Sequence, residues 1–344
     1  MSQIVLQEVN REEWKSDLDQ YNYSLFISPE WIEAVTDKHH KPLFIDFTIN
    51  NKTVGKISGL VISKGGTSGT QLYFYSGPTL STTNQSIYNS CFDAIFKYSK
   101  VNSISRIIIA SYDNKHSLKY TKRKYFLTKR IEYVVPLHNG FENIMMSKRF
   151  RRNVKKGGKN NPEINQSKES NMIEILLKLL SATKMTRINK YHKDYNPYYL
   201  LNLNEHTLKK LLSSGIARFR YTIKNNSIAS MEFNLEKDTS VYMLLKGTNE
   251  NGYKNGLSSF LSFSLIKKYT EQNFLTYNLG GRISGKGGDG LETYKKSMGA
   301  EEMIVYGATT NYLTYPYKLL NPALRIGRML PKNNAVVLFL KKFV

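Results

Sequence analysis

The chain writes one supersecondary pattern twice, and a pattern repeated at half-chain distance restricts the fold more than any single residue. The first copy runs Phe47-Thr-Ile-Asn-Asn-Lys-Thr-Val-Gly-Lys-Ile-Ser-Gly-Leu-Val-Ile62, and the second Tyr221-Thr-Ile-Lys-Asn-Asn-Ser-Ile-Ala-Ser-Met-Glu-Phe-Asn-Leu235. Each reads as a strand, an Asn-Asn turn and a returning strand, asparagine being a usual turn residue. In both copies a third strand follows (72–78; 241–247), then an amphipathic helix (84–101; 257–272), then another strand (106–111; 274–280). Solenoid and propeller repeats recur every 20 to 50 residues or so, a far shorter period. The pattern therefore predicts two tandem copies of one α/β domain, placed at 1–160 and 161–344.

Length agrees, since 344 residues suffice for two domains of ordinary size. With 40% hydrophobic and 22% charged residues, the composition is that of a globular protein rather than a disordered or fibrous one. The N-terminus lacks a basic region followed by an apolar run, and no apolar stretch approaches the roughly 18 residues needed to span a bilayer. Cys91 is the only cysteine, beside Phe92 and Ile95 on the first predicted helix, where a small apolar thiol suits a core. No disulfide can form within the chain, and the expected location is the cytoplasm. Lys plus Arg exceed Asp plus Glu by 50 to 27, a net charge of +23. That excess favours an anionic partner: nucleic acid, nucleotide phosphate or an anionic membrane surface.

Before the first hairpin, Ser28 is placed to cap a helix that starts at Pro29, with Glu30 favourable to the helix dipole. Trp31 and Val35, one turn apart, face inward, Trp31 either as a core residue or as part of a substrate cleft. Between the two copies a basic helix is predicted over 141–156. It contains Ser147-Lys-Arg-Phe-Arg-Arg-Asn-Val-Lys-Lys156, with Gly157-Gly158 as its stop. Phe150 and Val154 can anchor one face while Lys148, Arg151, Arg152, Lys155 and Lys156 project around the others. Such a run is either a solvated face or a phosphate site, arginine's fork matching phosphate geometry. Its position at the handover between copies suits a cleft between domains. Further helices are predicted over 170–189 and 204–212, separated by a tyrosine-rich stretch. There His192 and Asp194 could exchange a proton, but their spacing is not diagnostic, and no metal-ligand spacing accompanies them.

Two segments of the second copy are candidates for chemistry. The loop from Gly247 to Gly256 delivers Asn255, Gly256 and Ser258 to a helix start, where free amide hydrogens can hold an anion. It matches neither a Walker loop nor a dinucleotide fingerprint, and a plain turn is the alternative. The second segment holds six glycines between Gly280 and Gly290, Gly280 and Gly281 among them, in a loop leaving a strand. So much backbone freedom is costly unless something approaches closely or the loop closes on a ligand. The following helix presents Tyr294, Lys295 and Lys296.

Taken in order, these segments resemble the Fem-type aminoacyl and peptidyl transferases, which belong to the GNAT acyltransferase superfamily and consist of two such folds in tandem. Ser28-Pro-Glu-Trp31 matches the opening helix, 149–156 the basic helix, and Asn278-Leu-Gly-Gly281 with Glu292-x-Tyr294-Lys295-x3-Gly299-Ala300 the terminal signature. The resemblance implies an acyl or aminoacyl transferase acting on an amine of a cell-envelope or polysaccharide precursor. It aligns Tyr294-Lys295 with the family's Phe-Lys pair at the acyl-transfer centre, where an amide and an ammonium stabilise a developing oxyanion. Tyrosine for phenylalanine is a departure. By the same resemblance the basic helix (Lys148, Arg151, Arg152, Lys155) and the Trp31 region contact a phosphate-bearing nucleotide or lipid-linked acceptor. The donor is acyl-CoA or aminoacyl-tRNA, with no bound cofactor, no metal and no DNA. The long helical hairpin found in many family members is missing, which weakens the tRNA option relative to acyl-CoA.

No carboxylate or histidine stands out as general base, and transfer to an amine can rest on positioning and oxyanion stabilisation. The rival expectation is a non-catalytic, charge-driven nucleic-acid binder, which has no need of the duplication or the glycine-rich loop. The apolar and basic stretch 315–330 is either an arm packed on the second domain or a contact with the inner face of the membrane. The copies have diverged: the first has only Gly77-Pro78 and Ser111-Tyr112 where the second has the loop and Tyr294-Lys295. An asymmetric enzyme is expected, acyl chemistry in the second copy and the acceptor mainly on the first.

Overall fold

The computed structural model describes residues 4–63, 69–159, 161–191, 196, 198–281, 288–310, 317–330 and 334–335. In chain order the first elements are β1 (Val5–Glu8), α1 (Arg11–Lys15), α2 (Pro29–Ala34), β2 (His40–Ile49), β3 (Lys52–Ser63), β4 (Thr70–Phe74) and β5 (Thr79–Leu80). They are followed by α3 (Gln85–Val101), β6 (Arg106–Ile109), β7 (Tyr125–Pro136), α4 (Lys148–Gly158), β8 (Glu163–Ser167), α5 (Met172–Tyr191) and α6 (Glu205–Ser213). The remainder comprises β9 (Ala217–Lys224), β10 (Ser227–Lys237), β11 (Ser240–Thr248), α7 (Glu250–Lys254), α8 (Leu257–Glu271), β12 (Thr276–Gly281), α9 (Gly288–Ser297), β13 (Glu301–Thr310) and α10 (Asn321–Met329). Two compact units result, Met1–Arg130 with Ile304–Val344, and Ile131–Met303. The chain passes between them inside β7 and again inside β13. The division at 160/161 describes the order of the sequence copies and remains a proposal about the duplication.

In the first unit the strands run β1-β2-β3-β4-β6-β13, with β5 on β3. Asn50 and Asn51 have φ of 49° and 62°, so the β2–β3 turn is the two-residue type whose twist matches the strands it joins. β4 then pairs antiparallel with β3 and parallel with β6, the parallel step being spanned by α3. Asn84 caps α3, accepting from the amides of Ser86 and Ile87. Tyr88, Cys91, Phe92 and Ile95 recur at helical spacing and bury against Ile45, Phe47, Ile57, Leu72 and Phe74 of the sheet. Cys91 is therefore a core residue, as expected.

The second unit repeats the plan. Its strands run β7-β12-β11-β10-β9-β8. Asn225 and Asn226 turn β9 into β10 at φ of 50° and 56°, β11 adds antiparallel, and α8 carries the chain to β12, parallel to β11. Leu261, Leu265 and Tyr269 of α8 pack with Tyr277 and Leu279 of β12. Each unit is thus a mixed sheet flanked by helices, and the duplication predicted from the two hairpins is present in three dimensions.

Two local expectations change. The basic helix begins at Lys148, capped by the Ser147 hydroxyl, and residues 141–143 form a separate 3-10 turn. Gly157-Gly158 do not stop this helix but complete its last turn. A Cβ on Gly157 would lie 2.6 Å from the Phe260 Cβ and 2.7 Å from the Gly256 carbonyl oxygen, so glycine is there to let α4 approach α8. The 247–256 loop also contains a short helix, α7, capped by Asn249.

Candidate functional site

The second unit gathers most of the residues singled out by the sequence. Four elements meet around Tyr294: the basic helix α4, the start of α8, the strand β11 and its own helix α9. The Phe150 ring of α4 lies 6.2 Å from the Tyr294 ring. Ser147 donates its amide to the Ser297 carbonyl at 3.0 Å, tying the start of α4 to the end of α9. At the other end of α4, Gly256 adopts φ of 73°, and a Cβ there would sit 2.4 Å from the Asn153 carbonyl oxygen. Left-handed backbone and close approach both require glycine at that position. The start of α8 therefore rests directly on the basic helix. Asn255 donates its side chain to the Asn251 carbonyl at 3.0 Å, and Ser258 is buried, its carbonyl accepting from the Tyr294 hydroxyl at 3.3 Å.

Lys295, the neighbour of Tyr294, points to the end of β12. Its ammonium donates to the Gly281 carbonyl at 2.9 Å and lies 5.5 Å from the Tyr133 ring centroid, with 4% of the residue exposed. Gly280, at φ of 75°, comes so close that a Cβ would stand 3.8 Å from the Lys295 ammonium and 3.2 Å from the Tyr242 hydroxyl. Its amide donates to the Asn278 side chain at 2.9 Å, and Asn278 in turn donates to the buried carboxylate of Glu132 at 2.9 Å. The β11–β12 parallel pairing ends at Tyr242/Asn278, although β11 continues to Thr248. Strands that part in this way leave backbone groups of the Gly280–Gly281 end free of the β11 ladder, beside the Lys295 ammonium.

Sequence reasoning missed the polar group beneath this centre. Lys246, on β11, directs its ammonium to Glu232 at 2.9 Å, the Ser262 hydroxyl at 2.6 Å, the Ser258 carbonyl at 3.2 Å and the Tyr294 hydroxyl at 3.3 Å. Glu232, opposite it on β10, is fully buried and also accepts from Ser262 at 2.8 Å and from the Tyr277 hydroxyl. Burial pushes the Glu232 carboxyl up, but the Lys246 ammonium and the hydroxyl donors outweigh it and hold the group below the usual glutamate value. Burial likewise pushes Lys246 down, and Glu232 reverses the shift so that the ammonium is raised. Both groups are charged, a buried ion pair touching the Tyr294 phenol. From Glu232 the hydrogen bonds continue through Asn234 to Tyr269 and to the Arg220–Glu236 pair, at 2.6 to 3.4 Å. The sequence carried no signal for it: Ser230, Glu232, Asn234 and Glu236 alternate with Met231, Phe233 and Leu235, a pattern that reads as a strand with one solvated face.

The bases of α4 face outward. Lys148, Arg149, Arg151, Arg152, Lys155 and Lys156 are exposed, and among the described residues no ion pair engages them. Trp31 lies in the first unit and is fully buried, edge-on to Phe26 and Tyr75 at 4.6 and 5.3 Å. It packs as a core residue, and Ser28 caps its helix as expected. His192, Asp194 and residues 282–287 of the glycine-rich loop lie outside the described residues. Among the described residues no cluster of three or more His, Cys, Asp or Glu is arranged to hold a metal ion, and no helix is long and apolar enough to cross a membrane.

Strand order, hairpins and helix crossovers together define a tandem GNAT fold of the Fem-like kind. The chain is similar to the crystal structure of FemX, with a TM-score of 0.66 at 12% identity, covering 93% of this chain and 99% of that one. It is also similar to L-PGS from Bacillus licheniformis, with a TM-score of 0.55 at 13% identity over 93% and 98% of the two chains. A tandem GNAT protein from the clavulanic acid biosynthesis pathway matches with a TM-score of 0.50 at 6% identity over 89% and 98%. No family model matches the chain and no curated protein matches it in sequence, so the likeness is one of fold.

Proposed function

We propose that the protein is an acyl or aminoacyl transferase that moves an acyl group from acyl-CoA or aminoacyl-tRNA onto an amine of a cell-envelope or polysaccharide precursor. The observation that supports this most is that, within one unit, the helix carrying the exposed bases packs through Phe150 on Tyr294, through Ser147 on the end of α9 and through Gly157 on the start of α8. Transfer of this kind forms one C–N bond as the amine attacks the acyl carbon. It breaks the C–S bond of a thioester or the C–O bond of an aminoacyl ester, and the leaving thiolate or alkoxide takes up the proton that the amine gives up. The chain's own residues act on charge and position. The Lys295 ammonium, beside the Gly281 carbonyl, is the group to face the developing oxyanion. The Tyr294 hydroxyl, which accepts from Lys246 and donates to the Ser258 carbonyl, holds the Tyr294-Lys295 step against the start of α8. Arg151 and Arg152, backed by Lys148 and Lys155, provide phosphate forks for the phosphate-bearing acceptor. Asn255, Gly256 and Ser258 line the donor side.

The test is transfer of label by the purified protein from acyl-CoA or aminoacyl-tRNA to a panel of amino-sugar nucleotides and peptide precursors. Lys295→Ala is expected to lower kcat/KM by roughly 100-fold or more, the size of losing one oxyanion donor. Arg151→Gln with Arg152→Gln should raise KM. RNA binding that falls steeply with salt, without transfer from either donor and indifferent to Lys295→Ala, would identify a non-catalytic binder instead.

A further inference from the structure

The last described helix and the turn before it carry apolar side chains on the surface. Leu319 is 89% exposed, Ile326 58% and Leu320 39%, although leucine and isoleucine are among the residues most often buried. Leu319 and Leu320 lie in the 3-10 turn Tyr317–Leu320, and Ala323 and Ile326, three residues apart, continue the apolar stripe on α10. No acid follows Glu302 in the sequence, and Lys318, Arg325 and Arg328 fall among these apolar positions. A second copy docking on the same stripe would bring like charges together, which disfavours that occupant. An anionic bilayer satisfies both features at once, acyl chains for the leucines and isoleucine, headgroups for the bases. Length favours lying on the surface over crossing: α10 has 9 residues, about 14 Å of helix against a hydrocarbon core of about 30 Å.

We propose that residues 317–330 dock the protein on an anionic lipid surface, with Leu319, Leu320 and Ile326 entering the boundary between headgroups and acyl chains. The proposal concerns binding alone and is independent of acyl transfer, so it stands or falls without a substrate. The experiment is flotation of the full-length protein with vesicles of phosphatidylcholine containing phosphatidylglycerol, set against vesicles of phosphatidylcholine alone. Binding to the anionic vesicles only is expected, with Lys318→Gln weakening it about fivefold. Leu319→Asp with Ile326→Asp should weaken it by at least about tenfold. Both positions are exposed, so an unchanged thermal melt accompanies the loss. Equal flotation with both vesicle types, or undiminished binding of the double variant, overturns the proposal. So does a dimer, seen by sedimentation without lipid, that the double variant dissolves, since a second copy would then be the occupant. Binding abolished by Arg151→Gln with Arg152→Gln but not by the α10 variants overturns it as well, assigning the lipid to α4.

Discussion

Replacing Lys246 by methionine is the sharpest test of the polar group beneath Tyr294. Methionine keeps the volume of the side chain but removes the ammonium that neutralises Glu232, whose side chain is 0% exposed. Breaking a buried pair by deleting one partner costs about 3–5 kcal/mol, because the other charge stays buried. At about 2–4 °C per kcal/mol for a domain of this size, Tm should fall by roughly 6–20 °C. The pH dependence carries the proof. In the native protein the Glu232 carboxyl is held below its usual value, so its contribution is present above the unfolded pKa and is lost as pH falls through the folded one. In Lys246→Met, burial acts without the ammonium and raises the carboxyl above its unfolded value, so the variant loses stability as pH rises. The Tm gap should therefore be widest near pH 8 and narrow towards pH 5. Adding Glu232→Gln removes the stranded charge, and the double variant should be more stable than Lys246→Met alone. Thermal melts followed by circular dichroism at both pH values decide the matter. A gap that is constant with pH, or a double variant as unstable as the sum of the singles, refutes the ion-pair account.

Two further outcomes follow from backbone geometry. Gly157→Ala, which in an ordinary helix raises stability, should lower it here by about 1–3 kcal/mol in urea denaturation, since its Cβ meets Phe260 and Gly256 below 3.0 Å; a rise would show that α4 and α8 do not pack this way. Asn226→Val, at φ of 56°, should cost about 1–2 kcal/mol while Asn226→Gly costs nothing, and the Asn51 pair of variants should behave alike.

Much of the fold was legible because its signals are local. Each Asn-Asn pair needs only its own two residues to adopt left-handed backbone, so both hairpins could be placed from sequence, and Cys91 beside Phe92 and Ile95 placed the core face of α3. The Ser28 cap of α2 is local as well and was read from the sequence. The basic helix was misjudged at its start although the Ser147 cap there is local, and at its end for a non-local reason. Gly157 reads as a helix stop until Phe260 and Gly256, a hundred residues on, occupy the space a side chain would need.

The candidate site divides along the same line. Glycine-rich and charge-rich composition marked the bases of α4 and the start of α8, and the family resemblance marked Tyr294 and Lys295. Sequence reasoning could not pair Lys246 with Glu232, nor seat Tyr294 on Ser258, because those contacts are made across strand register and helix packing between residues far apart in the chain. It left Trp31 between core and cleft, a choice that the packing of Phe26 and Tyr75 resolves in favour of the core. Sequence by itself determined two copies of one α/β plan and the asymmetry between them. Which charges are buried and which polar groups meet was decided only by the tertiary fold, since the free energy of a buried charge depends on neighbours that the chain brings together only when it folds.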